Sequence, residues 1–447
     1  MTKYEAIINY IKSEISNCNI KSGQKLPSIR NVSERFSCSK ATVVKAYDLM
    51  EREHIVYSIA KSGYYLVESN FKAEVKEDDA KVDFATAAPD EYILPYEEFQ
   101  HCINMAMDLY KDNLFNNSNA EGLPSLINIV IKQLQNYQVF ASRENVFITS
   151  GAQQAINILT MMDFNNGRRK VLVEQPTYHG VLKSLELNHV ETIGIRRIYE
   201  GIDFNELENI FKYENIKFFY TIPRFHNPTG FSYSNRNKKR ILELCKKYDV
   251  YIVEDDYLSD LEVNKKSDPI YAFDMDSRVI YLKSYSKVLL PGLRISAAVI
   301  PSTLTKNFRE YKKWNDLNTS VLAQGALEIY IKSGMFDENI KKFKEVYTER
   351  MKYLSEVVKN YGSKKIKWHI PKSGFFASFE LNDNININSI IENLKLKNIL
   401  MADTSKFYLS NSSKKIMRIS VSRTNPHKIK KGILEVIEEV EKAGINN

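Results

Sequence analysis

Cysteine is scarce in this chain of 447 residues: Cys18, Cys38, Cys102 and Cys245 are all it has, widely separated and without a C-x-x-C pair. That spacing argues against a disulfide framework or a zinc site and fits a reducing compartment. Long apolar runs are missing too, and none approaches the roughly 18 residues a membrane helix needs. The opening Met1-Thr2-Lys3-Tyr4-Glu5 lacks the basic and then apolar segments of a secretory signal. The expectation is a cytoplasmic protein with no membrane anchor and no metal site. Charge of one sign does not dominate either. The 63 Lys and Arg face 55 Asp and Glu, and the net +8 permits nucleic-acid binding without demonstrating it. There is no internal repeat and no low-complexity tract. What is present is an ordinary globular balance, 43% hydrophobic and 26% charged, in a length that accommodates two or three cores.

Three stretches separate along the chain. Residues 1–69 read as short helices and a small hairpin. Residues 70–82, NFKAEVKEDDAKV, are polar and charge-mixed, as a linker is. Residues 83–447 alternate apolar, β-rich runs with amphipathic helical stretches. The runs are VFIT (146–149), KVLVE (170–174), KFFYTIP (217–223), VYIVED (250–255) and RVIYLKS (278–284), with helical segments such as 237–248 between them. That alternation predicts βαβ units and a largely parallel sheet.

Over residues 1–70, ten Lys and Arg stand against seven Asp and Glu, a mild excess that decides nothing. Ile7, Ile8, Ile11 and Ile15 fall on one face of a first helix. Pro27-Ser28 opens a second helix through Phe36, Ser37-Cys38 makes a short turn, and Ser39 caps a third helix. In the third, Val43, Ala46, Tyr47 and Met50 form the buried stripe, leaving Lys40, Thr42, Val44 and Lys45 near its exposed start. YSIAKSGYYLV then gives two short strands about Lys61-Ser62-Gly63, a wing. Two helices across a tight turn, with polar side chains leading the second, make the geometry that reads a major groove.

This stretch resembles the GntR family of winged-helix regulators in its LPS-x-R element (Leu26 to Arg30), its S-K-x-T-V helix start (Ser39 to Val43) and its wing glycine, Gly63. The resemblance implies double-stranded DNA as a partner, faced by Arg30, Ser39, Lys40, Thr42, Lys61 and Gly63. Two bland alternatives stay open: an ion pair of Arg30 with Glu34 one helical turn on, and a merely solvated Lys45.

In the larger stretch the key segment is RVIYLKSYSKVLLPGLRISAAVIP, residues 278–301. Lys287 follows a strand exit, with Ser284 and Ser286 before it and Arg294 after it. A lysine so placed suits a cofactor with an aldehyde and a phosphate: the amine forms a Schiff base, and hydroxyls and guanidinium hold the phosphate. Alone, S-x-S-K could equally be a surface turn. Other strand exits supply matching chemistry. Asn227 ends KFFYTIP-RFHN as a hydrogen-bond donor before a rigid Pro. Asp255 ends VYIVED and can pair with a protonated pyridine nitrogen. Ser150-Gly151-Ala152-Gln153 leads VFIT into a helix whose N-terminus suits a phosphate, and Tyr178, after KVLVE, can stack on a planar ring. Open α/β sheets bind ligands at such exits.

With HNPTG (226–230), EDDY (254–257), SYSK (284–287) and PGLR (291–294) in that order, the stretch resembles fold-type I aminotransferases, and its pairing with a GntR-like head resembles the MocR subfamily of regulators. The resemblance implies an α/β fold with a mixed, mainly parallel sheet covered by helices on both faces, a homodimer, and pyridoxal phosphate as cofactor. It implies that Lys287 carries the cofactor as a Schiff base, Asp255 pairs with its ring nitrogen, and Asn227 and Tyr257 contact its hydroxyl. Tyr178 stacks on the ring, and Ser284, Arg294 and the amides of Ala152 and Gln153 bind the phosphate. Arg418, in IMRIS, matches the arginine that clamps a substrate α-carboxylate, with a core ion pair as the alternative. Asp256 reads as a capping or surface carboxylate, and His226 as structural. One departure stands out: where the family has a Y-G-D-P-x-G tyrosine reaching the partner subunit's cofactor phosphate, this chain has Asn117.

Two functions follow as expectations. The first is a DNA-binding regulator whose aminotransferase-like domain, 83–447, senses an amino compound or the cofactor itself. The alternative is an active aminotransferase with an accessory DNA-binding module, in which Asn117 argues for slow turnover.

Overall fold

A computed structural model describes residues 2–17, 19–20, 24–52, 55–59, 62–66, 81–111, 119–264, 267–381, 385–410 and 416–443. The chain divides into two compact units, one containing the N-terminal residues together with 95–111 and 325–336, the other containing the remainder.

In the first unit, helices α1 (Lys3–Ser16), α2 (Ile29–Arg35) and α3 (Lys40–Arg52) precede a hairpin of β1 (Val56–Ile59) and β2 (Gly63–Leu66). Each helix starts where a side chain satisfies its free amides. Thr2 and Glu5 form a capping box on α1, Ser28 accepts from the Asn31 amide, and Ser39 accepts from the Thr42 amide. Ile7, Ile11, Val32, Val43, Ala46, Tyr47 and Met50 are buried together as the core of this small fold. The LPS element has a mechanical reading. Leu26 is buried, the Pro27 carbonyl accepts a 2.7 Å hydrogen bond from the Tyr47 hydroxyl, and Ser28 caps α2, so one tripeptide fixes α2 against α3. The hairpin pairs Tyr57 with Tyr65 and Ile59 with Gly63, whose φ of +127° favours glycine. Within the same unit, the Phe99 ring lies 5.5 Å from that of Tyr330, and the Tyr110 hydroxyl donates to Glu328 at 2.5 Å.

The chain continues through β3 (Val82–Asp83), α4 (Tyr96–Tyr110), α5 (Pro124–Gln135), β4 (Val146–Thr149), α6 (Ala152–Met161), β5 (Lys170–Gln175), α7 (His179–Leu187), β6 (Thr192–Ile198), β7 (Gly201–Ile202), α8 (Phe204–Tyr213), β8 (Ile216–Thr221), α9 (Asn235–Lys247), β9 (Tyr251–Asp255), β10 (Val279–Ser284) and β11 (Ser296–Val299). The main sheet runs β4-β11-β10-β9-β8-β5-β6-β7. Strands β10, β9, β8, β5 and β6 pair in parallel, while β11 runs antiparallel to both its neighbours and β7 to β6. Every residue of β4, β8, β9 and β10 is buried, because helices cover both faces. These strands therefore appear in the sequence as continuous apolar runs rather than alternations.

After β11 come α10 (Thr305–Asp316), α11 (Val321–Lys332), α12 (Met335–Tyr361), β12 (Ile366–His369), β13 (Phe376–Leu381), α13 (Ile387–Leu396), β14 (Ile399–Leu400), β15 (Ile416–Ser420) and α14 (Pro426–Ala443). Strands β12, β13 and β15 form an antiparallel sheet whose core includes Met351, Leu354, Phe379, Met417 and Ile433. The stretch expected as a linker at 70–82 lies outside the described residues up to 80. Its last residue, Val82, pairs with Ile399 in a two-stranded ladder. Among the described residues no helix is long and apolar enough to cross a membrane.

Candidate functional site

A cavity of about 420 Å³ opens at the carboxyl ends of the parallel strands, where loops must diverge and leave room. Lys287, Asp255, Asn227, Tyr257, Tyr178, Ser284, Arg294, Ala152, Gln153 and Arg418 all line it. Asp255 closes β9, Ser284 closes β10, and Lys287 follows one turn later. Tyr178 is the N-cap of α7. Arg294 sits in the left-handed region (φ +53°), and its guanidinium packs on Gly151, where an added Cβ would come within 2.5 Å of Nη2. Gly151 (φ +82°) thus admits the guanidinium beside the start of α6, which has no side-chain cap. The first amides of a helix lack intrahelical acceptors, so this end offers Ala152 and Gln153 N–H groups together with the helix dipole.

The titratable groups are shifted by their surroundings. Burial pulls the Lys287 ammonium down to about 8, with Arg418 adding to the effect. Its Nζ donates to the Ala87 carbonyl at 2.7 Å. Burial pushes Asp255 up to about 6, against a 2.6 Å hydrogen bond that the Tyr220 hydroxyl donates to its Oδ2. Asp255 Oδ1 is buried without a hydrogen-bond partner among the described residues, as is Arg418 Nε. Arg418 Nη1 donates to Asn227 Oδ1 at 2.9 Å and Nη2 to the Ala85 carbonyl. No carboxylate pairs with Arg418 among the described residues, so the core ion pair considered from sequence is not formed. The Tyr257 hydroxyl donates to the Phe225 carbonyl at 2.6 Å.

These groups fit a ring with a basic nitrogen, an aldehyde and a phosphate. The orphan carboxylate oxygen suits the first, the amine with its lowered basicity the second, and the helix end with Arg294 the last.

Beneath the cavity lies a buried polar layer. Glu174 accepts from Arg197 (2.6 Å), Thr221 (2.6 Å), Tyr233 (2.7 Å) and the Ile222 amide (3.1 Å). Against the cost of burial, the Arg197 guanidinium holds its carboxyl well below the usual range. His226 is fully buried, shares a 2.9 Å hydrogen bond with Thr229, and is pulled down to about 4 by burial. It is neutral near pH 7. Asp256 corrects the expectation of a capping or surface carboxylate. It is 1% exposed, paired with Arg224 (Nε to Oδ1 3.0 Å) and bonded by the Tyr281 hydroxyl at 2.6 Å.

Sequence reasoning missed His179, Lys406 and Phe407, which also line the cavity. His179 sits directly after Tyr178 and could have been taken with it. Lys406 and Phe407 come from a short 3-10 turn, Thr404–Phe407, without any motif.

In the head, Arg30, Ser39 and Lys40 are exposed and Thr42 is half-buried. Arg30 does pair with Glu34, at 2.9 Å and with both side chains exposed. The Ser39 and Thr42 hydroxyls are 2.9 Å apart, and Lys45 Nζ lies 4.6 Å from the centre of the Tyr4 ring. Lys61 and Asn117 lie outside the described residues.

Residues 91–435 match the family of aminotransferases class I and II, and residues 3–66 match the bacterial regulatory proteins of the gntR family. A Bacillus subtilis protein named as the uncharacterized HTH-type transcriptional regulator YcxD is 42% identical over 97% of this chain and 98% of its own length. The HTH-type transcriptional regulator NorG of Staphylococcus aureus is 23% identical over 94% of this chain and 100% of its own. Among solved structures, Pyrococcus horikoshii kynurenine aminotransferase in complex with PMP superimposes with a TM-score of 0.76 at 27% identity, covering 82% of this chain and 92% of that one.

Proposed function

Because the chain belongs to the aminotransferase class I and II family and joins that domain to a gntR-family DNA-binding domain, we propose that it is a transcription regulator that binds pyridoxal phosphate at Lys287 and senses an amino compound or the cofactor itself. The observation that carries this reading is the cavity. It unites a lysine amine lowered to about 8, a buried carboxylate with an unpartnered oxygen, and an uncapped helix end flanked by Arg294. The cofactor would supply an electron-accepting ring and an aldehyde. Lys287 would hold the aldehyde, Asp255 the ring nitrogen, Asn227 and Tyr257 the ring hydroxyl, and Tyr178 a ring face. Ser284, Arg294 and the amides of Ala152 and Gln153 would hold the phosphate, and Arg418 an effector carboxylate. The assembly would be a homodimer acting on an operator through Arg30, Ser39, Lys40, Thr42 and the wing.

Two side chains of the site also hold the backbone of the segment that precedes α4. Lys287 and Arg418 hold the carbonyls of Ala87 and Ala85. That segment leads into α4, whose residues belong to the compact unit containing the head. A lysine committed to the cofactor no longer donates to Ala87 as an ammonium, and an arginine committed to a carboxylate competes with its hold on Ala85. Occupancy would thus bear on a segment that continues into α4.

A second reading, a working aminotransferase, is favoured by the completeness of the set, since Lys287, Asp255, Asn227 and Arg418 all line one cavity. Borohydride reduction of the protein loaded with pyridoxal phosphate should trap one adduct, on Lys287. Lys287→Ala should lose it while keeping its melting transition. An adduct on another lysine would overturn the assignment.

A further inference from the structure

Asp255 is gripped from one side only. Its Oδ2 takes the Tyr220 hydroxyl at 2.6 Å, while its Oδ1 has no partner among the described residues. Tyr220 is on β8 and Asp255 ends the adjacent parallel strand β9, in a register that pairs Tyr220 with Val253. Tyr220 is fully buried, so no water competes for its hydroxyl. Resting on the reading of the cavity as a pyridoxal phosphate site, we propose that Tyr220 is a positioning residue for the cofactor: by anchoring one oxygen of Asp255 it turns the other toward the ring nitrogen and sets how firmly the carboxylate holds it.

The geometry leaves Asp255 few other supports. The groups that face it are the hydroxyls of Tyr220, Tyr178 and Tyr257, the neighbouring Asp256 carboxylate and the Lys287 amine. Burial and Asp256 favour its protonated form. The Tyr220 hydrogen bond and Lys287 favour the ionised form, and only Tyr220 of these donates to it directly. Lys287 would be committed to the cofactor aldehyde in the loaded protein, which leaves Tyr220 as the main group opposing burial. A carboxylate must be ionised to pair with a pyridinium. Without the hydroxyl, Asp255 becomes more basic and free to rotate, and the proton it shares with the ring nitrogen shifts toward the carboxylate.

The test uses the full-length protein, Tyr220→Phe, Asp255→Asn and the double variant, each titrated with pyridoxal phosphate while absorbance is followed from about pH 5 to 9. Tyr220→Phe keeps the ring and removes one oxygen. It should weaken cofactor binding roughly tenfold, the range for a hydrogen bond to a charged group. The acid limb of its loading profile should move to higher pH, and the bound-cofactor spectrum should change. In the Asp255→Asn background the same substitution should add almost nothing, because its effect runs through the carboxylate. A variant that melts lower but keeps the wild-type spectrum and pH profile would make Tyr220 a packing residue and overturn the inference alone. Equal, additive losses in both backgrounds would do the same. Wild-type protein that takes up no pyridoxal phosphate would remove the underlying reading as well.

Discussion

Lys287 shows how one residue's surroundings prepare its chemistry. An ordinary lysine near pH 7 is neutral in roughly one molecule in a few thousand. With its amine lowered to about 8 by burial and then by Arg418, roughly a tenth of Lys287 is neutral there. Only the neutral amine attacks an aldehyde. The rate of pyridoxal phosphate capture by cofactor-free protein should therefore rise about tenfold per pH unit below neutrality and level off near pH 8. Arg418→Met removes a nearby cation, so the lysine should regain basicity and the bend should move to higher pH. Stopped-flow absorbance across pH measures both. A bend unmoved by Arg418→Met would show that burial alone sets the amine.

At the scale of elements, the α2–α3 pair makes a testable statement about DNA. Lys40 is exposed and makes no ion pair among the described residues, whereas Arg30 is engaged by Glu34. An exposed pair of this kind contributes under about 1 kcal/mol, so a DNA phosphate would compete for Arg30 easily. Lys40→Ala should weaken operator binding and lower the salt slope by about 1, as loss of a phosphate contact does. Glu34→Gln should strengthen binding a few-fold, since it frees Arg30 and removes a like charge from the DNA face. Fluorescence anisotropy at several salt concentrations would decide, and a Glu34→Gln protein that binds more weakly would place Arg30 away from DNA. The strands of the second unit were legible for a related reason. Residues 146–149, 171–174, 216–221, 251–255 and 279–284 are buried on both faces and therefore stand as largely apolar runs. The strand exits then indicate where Asp255, Asn227 and Lys287 converge. What was not legible depends on distant partners. Asp256 looked like a surface carboxylate because Arg224 lies 32 positions away, and Lys406 and Phe407 reach the cavity from a turn without a motif. Nor does any local pattern reveal that residues 95–111 and 325–336 pack in the unit of the head. Only tertiary contacts decide that.

For the whole molecule, sensing and turnover make opposite demands on the same cavity. A sensor needs occupancy of Lys287 and Arg418 to alter operator affinity, and the strap Ala85–Ala87 is bonded to both side chains and continuous with α4. An enzyme needs repeated release of product, and the family resemblance implies that Asn117 replaces the tyrosine that would reach the partner subunit's cofactor. An amino compound bound at Arg418 should therefore change operator affinity while keto product accumulates slowly or not at all. Linkage supplies a quantitative check: if the compound changes operator affinity by some factor, operator DNA must change the compound's affinity by the same factor. Anisotropy of labelled operator and absorbance titration of the bound cofactor give the two numbers independently, over a candidate panel of amines and amino acids. Arg418→Met should erase the response to carboxylate-bearing compounds while leaving cofactor-dependent operator binding in place. Equal factors with slow product formation would establish the regulator. Rapid transamination, with operator affinity unmoved by any amine or by cofactor removal, would instead assign the cavity to catalysis and leave the head an accessory.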